Sequence, residues 1–351
     1  MRQQLKRISR KIRRRSIKAL IERRRRKVRA LNGSKKRRNN SPIRILAPAQ
    51  FSIESNETRR PVMGFLADLR KIFIRDDIQA ITIDFTRTTS FVSSATLLFY
   101  AELSRLIEIT KNRIRVRCKP PTNVRACQVL HQIGIYGMCG QSIKMRPTLY
   151  DDVVHWRAAR GHVVDNSICA PAIEEFEGQL AVPLVDGLFR GLGEAMTNAI
   201  HHAYLAVRED GLDYVPLHKD WWMFSQARTG YLTVVFCDLG IGIPNTLPLK
   251  KPSLYERIVS LGRAGSDGAC IEDAIEDSRT RTHLPERGRG LGNIVNVVSK
   301  LKGGIVMVLS NHGFYLSRNG TSPKTYDLKD SILGTLIYWR VPLVGESHHA
   351  E

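Results

Sequence analysis

Residues 231–244 read Tyr-Leu-Thr-Val-Val-Phe-Cys-Asp-Leu-Gly-Ile-Gly-Ile-Pro, an apolar run followed by a carboxylate and a glycine-rich turn. The β-branched and aromatic residues predict a buried strand from Tyr231 to Cys237. Asp238 then stands at the strand end, where its carboxylate can accept a hydrogen bond from an exocyclic amine. Gly240 and Gly242 allow the backbone to approach a flat ring. Alone, the segment also fits a tight turn capped by the aspartate.

A helix predicted from Pro183 to about Val207 carries Glu194 and Asn198 four residues apart. At this spacing the two side chains lie one above the other on one helix face. A carboxylate and an amide in this arrangement can hold a hydrated Mg²⁺ and position a water, because Mg²⁺ prefers oxygen ligands. A solvated face that carries the two residues by chance is the alternative.

A second glycine-rich segment, Gly288-Arg289-Gly290-Leu291-Gly292, precedes a helix predicted from Asn293 to Leu301. Free backbone amides at a helix N-terminus face outward and favour an anion such as phosphate. The segment lacks the Lys-Ser/Thr pair of a Walker loop. In isolation it fits a plain loop as well as a phosphate site.

The order of these segments is more specific than any one of them. A helix with Glu and Asn is followed by a strand ending in Asp-x-Gly-x-Gly, then by an interval from Asn245 to Arg287 predicted as a mobile lid, and then by Gly-x-Gly-x-Gly before a helix. The last strand begins Gly334-Thr335-Leu336. In this layout residues 180–344 resemble the ATP-binding domain shared by gyrases, histidine kinases, anti-sigma serine kinases and mismatch-repair ATPases.

The resemblance implies the Bergerat nucleotide fold, with ATP and Mg²⁺ as ligands. It makes Glu194 the polarising acid, Asn198 the Mg²⁺ ligand and Asp238 the acceptor for the adenine amine. The other nucleotide contacts that it implies are Gly240, Gly242, the phosphate-lid residues Gly288, Arg289, Gly290, Leu291 and Gly292, and Thr335, which would contact adenine through water.

Residues 43–146 alternate short β-rich runs with helical ones and predict a small α/β unit. Its strand 81–85 and its turn Phe-Val-Ser-Ser-Ala-Thr at 91–96 resemble the STAS domains of anti-sigma-factor antagonists. In that family the turn usually reads Phe-Ile-Asp-Ser-Ser-Gly, and its first serine accepts a phosphate. Ser94 aligns with that serine, whereas Ser93 replaces the aspartate and Thr96 the glycine. A helix N-cap formed by Ser93 or Ser94 is the alternative to a phosphoacceptor.

The charge of the chain is concentrated at its start. Of a formal net charge of +22 over 351 residues, residues 1–40 contribute 19 Lys or Arg against one acid, Glu22. Such a segment would repel itself in water and stay largely disordered, or fold as a basic helix on an anionic surface. We expect it to bind a polyanion by charge, with nucleic acid favoured over an anionic membrane surface.

The composition limits where the protein acts. With no window near 18 consecutive apolar residues and no apolar segment behind the basic N-terminus, we expect neither a membrane span nor a secretory signal. The six cysteines show no metal-binding spacing and are expected to be reduced thiols of a cytoplasmic protein.

The predicted architecture is a two-domain α/β chain. It comprises a basic tail and linker (1–42), a STAS-like α/β domain (43–146), a connector (147–179), a Bergerat-fold α/β sandwich (180–344) and a short tail (345–351). A phosphorelay histidine kinase is disfavoured, because α/β sequence stands where a dimerising helical hairpin would precede the ATPase domain. A gyrase-like protein would need a transducer domain after residue 344, where about seven residues remain.

Three functions stay open. The favoured one is a switch in which Mg-ATP binding controls the STAS-like domain and another regulatory protein that it meets. The second is a serine/threonine kinase of the anti-sigma type that acts on its own Ser93 or Ser94 or on another STAS domain. The third is a nucleic-acid-associated ATPase. A homodimer is compatible with each of them.

Overall fold

The computed structural model describes residues 42–144, 150–176, 178–180, 182–212, 214, 216, 218–280 and 290–343. The chain divides at Asn40, and Ser41–Glu351 form one compact unit. The predictions for the basic tail fall on residues outside the described ones. The mixed α/β class is confirmed by the elements of the compact unit.

The first part of that unit alternates strands and helices, as the sequence predicts. In chain order the elements are β1 (Ile43–Leu46), β2 (Gln50–Phe51), α1 (Asn56–Ile74), β3 (Ala80–Asp84), β4 (Ser90–Phe91), α2 (Ser93–Ile109), β5 (Arg115–Lys119), α3 (Val124–Gln132) and α4 (Ile135–Met138). Strands β1, β3 and β5 form a parallel sheet in that order, and β2 pairs with β4. Helix α1 begins at Asn56, because the Ser55 hydroxyl accepts the Thr58 N–H at 3.3 Å and caps the helix.

The second part of the unit contains a long antiparallel sheet. Its elements are α5 (Asp151–Val154), β6 (Arg157–Gly161), α6 (Val182–Asn198), a π-helical turn (Ala199–Ala203), β7 (Trp221–Arg228), β8 (Tyr231–Asp238), α7 (Gly242–Lys250), α8 (Pro252–Ser260), α9 (Asp267–Thr280), α10 (Gly290–Val298), β9 (Ile305–Ser310), β10 (Gly313–Arg318), β11 (Lys324–Asp327) and β12 (Thr335–Pro342). The seven strands follow the order β11-β10-β9-β12-β8-β7-β6. Strand β8, which carries the first glycine-rich turn, therefore lies inside the sheet between β12 and β7.

Both faces of the large sheet are covered. Side chains alternate along β7, so that Trp221 and Met223 belong to a core with α6, whereas Trp222 and Phe224 belong to the core of the first part of the chain. Tyr100 of α2 packs edge-on against Phe224 with ring centroids 5.3 Å apart. Residues 43–144 therefore form one of the two layers that cover the sheet.

The interval predicted as a mobile lid, Asn245 to Arg287, is largely helical where it is described. It contains most of α7 together with α8 and α9, which enclose a small core of their own formed by Leu247, Leu254, Ile258, Ala269 and Cys270. Leu254 and Ile258 stand four residues apart, the spacing of one helix face. The sequence analysis did not predict these helices, because this apolar spacing lies within a largely polar stretch, and the lid stays a prediction.

Within the described ranges, no helix is both long and apolar enough to cross a membrane. All six cysteines are free thiols.

Candidate functional site

Asp238 is the last residue of β8 and lies opposite Thr335 of β12 and Trp221 of β7. Both neighbouring strands begin opposite it, and the residue, which lies between them, is only 5% exposed. The sequence places a carboxylate at a strand end, and the structure adds that this end is buried inside the sheet.

Neutral groups surround the Asp238 carboxylate. The Gly240 N–H donates to its Oδ1 at 2.9 Å, and the backbone N–H and hydroxyl of Thr335 also donate to it. A carboxylate offers about four acceptor positions, so these donors leave about one for a ligand. Burial raises the pKa of Asp238 to about 6, although these hydrogen bonds and the charge of Arg208 act in the opposite direction. The group is therefore mostly an ionised acceptor at neutral pH.

Thr335 joins three segments at this point. Its hydroxyl lies 3.1 Å from the Ser310 hydroxyl at the end of β9. The Ser310 oxygen accepts the Ile243 N–H, in the first turn of α7, at 2.8 Å. The predicted adenine contact Thr335 is therefore linked through Ser310 to the same turn that the sequence assigns to the nucleotide.

Packing requires glycine at both positions after Asp238, independently of the predicted approach of the backbone to a flat ring. A Cβ at Gly240 would lie 2.3 Å from the Ala203 carbonyl oxygen, which also accepts the Ile241 N–H at 2.8 Å. Gly242 has φ +80°, and a Cβ there would lie 2.7 Å from the Asn311 side chain. Only glycine fits both positions, so the turn is held against the end of the α6 segment.

Glu194 and Asn198 are half-buried on α6, and Asn198 is its last residue. The structure connects them to the Asp238 turn through the π-helical turn that ends at Ala203. At about 1.5 Å per residue, Asn198 and Glu194 lie roughly 8 and 14 Å from Ala203 along the axis. Both residues therefore lie on the helical segment that leads to the Asp238 turn.

The π-helical turn is a feature that the sequence analysis missed. Such turns are rare and occur often at functional sites. Within the described part of the chain, the buried Nδ1 of His202 has no hydrogen-bond partner. Burial and the nearby positive charges of Lys250 and Lys251 lower the pKa of His202, with His201 adding to the effect. A neutral imidazole thus stands in a positive environment at the end of α6.

The second glycine-rich segment is described only in part. Gly288 and Arg289 lie outside the described residues, and Gly290, Leu291 and Gly292 form the first turn of α10. The helix thus begins three residues before the predicted Asn293. It packs along α6, where a Cβ at Gly187 would be 3.5 Å from Val297. The structure therefore packs this helix against the helix that carries Glu194.

The two candidate phosphoacceptors are buried. Ser93 and Ser94 are the first residues of α2 and are 4% and 1% exposed. The N-cap of the helix is Val92, so the alternative prediction of a serine cap is wrong. The backbone of Val92 is extended and the helix begins at the next residue, Ser93, so both serines lie inside the helix. Phosphoryl transfer to either hydroxyl requires an opening of this helix end.

A buried ionic cluster, which the sequence analysis did not predict, joins the two parts of the compact unit. Glu102 of α2 lies 2.8 Å from Arg208, 3.2 Å from Arg105 and 3.4 Å from Arg70. Asp210 completes the cluster at 2.6 Å from Arg105. Burial alone would raise the pKa of Glu102, but the three guanidinium groups outweigh it and lower that pKa to about 2.

Arg208 also reaches the Asp238 region. Its Nε donates to the Leu333 carbonyl oxygen at 2.6 Å. Leu333 has φ 53°, a left-handed conformation that a leucine adopts only when its surroundings hold it. Gly334 and Thr335 follow directly, and the charge of Arg208 lowers the pKa of Asp238. Arg208 is therefore shared between the cluster and the strand that borders Asp238.

A cavity of about 800 Å³ lies elsewhere, between the first turns of α1 and the segment that follows β11. Its lining carries both signs of charge and includes Glu57, Arg60, Asp327 and Lys329. None of the residues that the sequence assigns to a nucleotide lines it. The candidate site therefore rests on the chemistry around Asp238 and not on the size of a cavity.

No protein-family model matches the sequence, and no curated protein is significantly similar to it. The candidate site is supported by its own residues and their geometry.

Proposed function

We propose that the protein is an ATP-binding regulator in which Mg-ATP, bound beside Asp238, controls residues 43–146 and a partner protein that they meet. The observation that supports this most is the Asp238 carboxylate. It is 5% exposed, accepts hydrogen bonds from neutral groups and keeps room for one more donor. An adenine amine is a donor of the required kind, because it is neutral and planar.

The chain offers oxygen and amide groups for the rest of the nucleotide. Asp238 would bind the adenine amine, with Thr335 beside it. Asn198, with Glu194 one turn earlier on α6, would hold Mg²⁺, which neutralises phosphate charge. The amides at the start of α10 would face the phosphates. Glu194 would orient a water if the nucleotide is hydrolysed.

Two features of the architecture support the fold that we propose. The large antiparallel sheet has α6, α9 and α10 on one face, with the glycine-rich segments at the ends of β8 and at the start of α10. This is compatible with a Bergerat-type domain over residues 180–344. The parallel sheet β1-β3-β5 with its helices is compatible with a STAS-like domain over residues 43–146.

The buried ionic cluster supplies a physical route for control. Three guanidinium groups, those of Arg70, Arg105 and Arg208, face Glu102 and Asp210, and Arg208 also acts on Asp238. A ligand that donates to Asp238 would also hold Thr335 and the nearby Leu333, whose carbonyl oxygen accepts the Arg208 Nε–H. Because Arg208 also binds Glu102 of α2, the nucleotide then stabilises the packing of α2 on the sheet.

Amide hydrogen exchange with and without saturating Mg-ATP tests this route. We expect the nucleotide to slow exchange in β8 and β12 and also in α2. In Arg208→Met, the protection of α2 should be lost while β8 remains protected. Lys119→Met, a change on the outer edge of the parallel sheet, serves as the matched control. Equal protection of α2 in Arg208→Met and wild type would contradict the route.

A kinase that acts on its own Ser93 or Ser94 is less well supported, because both hydroxyls are buried in α2. Incubation with γ-labelled ATP separates this function from the switch. The switch predicts label in free phosphate or in unchanged nucleotide. Label that stays on the protein, and is lost in Ser94→Ala, would favour the kinase.

A further inference from the structure

In the described part of the chain, the outer face of the parallel sheet is exposed. Its two lateral strands β1 and β5 and the central β3 are in register, so that Arg44, Thr82 and Arg117 stand side by side. The next row contains Leu46, Asp84 and Lys119. The side chains of Arg44 and Lys119 are 59% and 54% exposed, and Leu46 is 55% exposed. Parallel sheets are almost always covered on both faces, so an open face is a candidate for a partner.

The charge of this outer face is strongly biased. Strand β5 presents Arg115, Arg117 and Lys119 to solvent at every second residue, roughly 7 Å apart. With Arg44 this makes four cations against one carboxylate, Asp84, which is already bound by Arg44 and Thr86. The face therefore has about three uncompensated positive charges on a rigid surface.

We propose that this outer face, formed by Arg44, Arg115, Arg117 and Lys119, binds the phosphate backbone of a nucleic acid. Guanidinium groups on fixed strands suit phosphate oxygens, because each can donate two parallel hydrogen bonds. The face carries no aromatic side chain on which a base could stack, so recognition is independent of base sequence. Leu46 is its single large apolar side chain, which gives little to insert into a bilayer.

This surface is formed by residues other than those assigned to the nucleotide and other than those of the basic segment 1–40. It does not depend on whether ATP binds. The basic segment has the same sign of charge and is expected to address the same class of partner, so the test must distinguish the two contributions within the full chain.

Fluorescence anisotropy of a labelled 20-base-pair duplex with the full chain, measured over a range of salt concentrations, provides the test. Because every chain keeps residues 1–40, a difference between variants reports the sheet face. In Arg115→Gln/Arg117→Gln the affinity should fall roughly 10- to 100-fold at 100 mM salt. The slope of log affinity against log salt should become shallower by about 1.8, or about 0.9 for each lost phosphate contact.

The matched control is Arg318→Gln/Lys324→Gln, which removes two exposed cations from the far end of the large sheet. It should bind like wild type, and both variants should keep the wild-type thermal unfolding temperature. The duplex should also protect Lys119 of wild type, but not Lys324, from chemical acetylation. Equal affinity of both double variants would overturn the proposal. Loss of binding to anionic vesicles without loss of duplex binding would overturn it in favour of a membrane surface.

Discussion

Two buried aspartates at the ends of strands behave differently in this molecule. Asp84 ends β3 of the small sheet, and Asp238 ends β8 of the large one. Arg44 donates to Asp84 at 2.6 Å and Thr86 at 2.9 Å. Burial alone would raise the pKa of Asp84, but these groups outweigh it and hold the pKa below its usual value. The pKa of Asp238 instead lies at about 6.

The difference separates a carboxylate whose charge is compensated from one whose charge is only partly compensated, and our proposed function assigns a ligand to the second. At Asp84 the Arg44 guanidinium compensates the charge. This carboxylate therefore links two strands and has little remaining capacity to bind a ligand. At Asp238 the donors are the neutral groups of Gly240 and Thr335, and part of the cost of burying the charge remains. A ligand that donates to this carboxylate gains from that uncompensated charge.

The largest effect is expected at Glu194, because chemistry is more sensitive than binding. Glu194→Gln should reduce any ATP hydrolysis about 10²–10⁴-fold while ATP affinity changes little. Steady-state phosphate release and calorimetry on the same samples measure both quantities. Glu276→Gln, a change at an exposed glutamate of α9, should leave both unaltered. Equal losses of turnover and affinity in Glu194→Gln would show that Glu194 has a structural role and not a catalytic one.

Glu102 is, like Asp84, a buried carboxylate whose charge is compensated by guanidinium groups. Glu102→Gln leaves three buried guanidinium groups short of a partner and should lower the free energy of unfolding by about 3–5 kcal/mol at pH 7. The pKa of Glu102 is lowered from 4.5 to about 2 in the folded chain. The stabilisation is therefore complete above pH 4.5 and is lost as the pH falls towards 2. Urea unfolding should show this loss in wild type and not in the variant.

The raised pKa of Asp238 predicts a pH dependence of binding. Protonation removes the acceptor, so ATP affinity should fall roughly five- to tenfold per pH unit below about pH 6. Protonation of the nucleotide phosphates contributes in the same range but acts equally on all variants. The ratio of wild-type to Asp238→Asn affinity should therefore carry the dependence, whereas the ratio of wild type to Asp84→Asn should stay flat. A flat ratio for Asp238→Asn would show that Asp238 does not titrate with binding.

The smallest effect concerns the strained residue beside the site. Leu333 has φ 53°, and no such residue borders Asp84 within the described chain. Leu333→Gly removes the steric cost of the left-handed conformation but loses some packing and some chain entropy. The free energy of unfolding should rise by about 0.5 kcal/mol, as measured by thermal unfolding. A decrease of more than about 1 kcal/mol would mean that the leucine side chain matters more than its backbone.

Local patterns predicted the elements that carry these residues. The β-branched run before Asp238 predicts β8, and the apolar spacing around Glu194 predicts α6. Strand β6 was missed, because Arg-Ala-Ala-Arg-Gly has little β-propensity and its conformation is fixed by pairing with β7. The π-helical turn, whose last residue Ala203 packs against Gly240, was also missed, because no local pattern in the sequence indicates it.

The link between the two parts of the chain could not be predicted from one sequence. No local pattern in the sequence indicates that Glu102 and Arg105 pair with Arg208 and Asp210. Their contacts join residues 106 positions apart, such as Glu102 and Arg208, and no local period reports such a contact. The pairing of Thr335 with Asp238 is likewise a matter of sheet register. The sequence identified the two residues, and the structure placed them opposite each other.

Calorimetric titration of wild type, Asp238→Asn and Asp84→Asn with Mg-ATP tests the central claim most directly. Asp238→Asn replaces the proposed adenine acceptor by a group that presents a donor. We expect this variant to lose about 1.5–3 kcal/mol of binding free energy, or about 10- to 150-fold in affinity. Because the carboxylate of Asp84 is paired with Arg44, we expect a folded Asp84→Asn variant to bind Mg-ATP like wild type. Equal affinities of all three proteins, or no Mg-ATP binding by wild type at millimolar concentration, would contradict the claim.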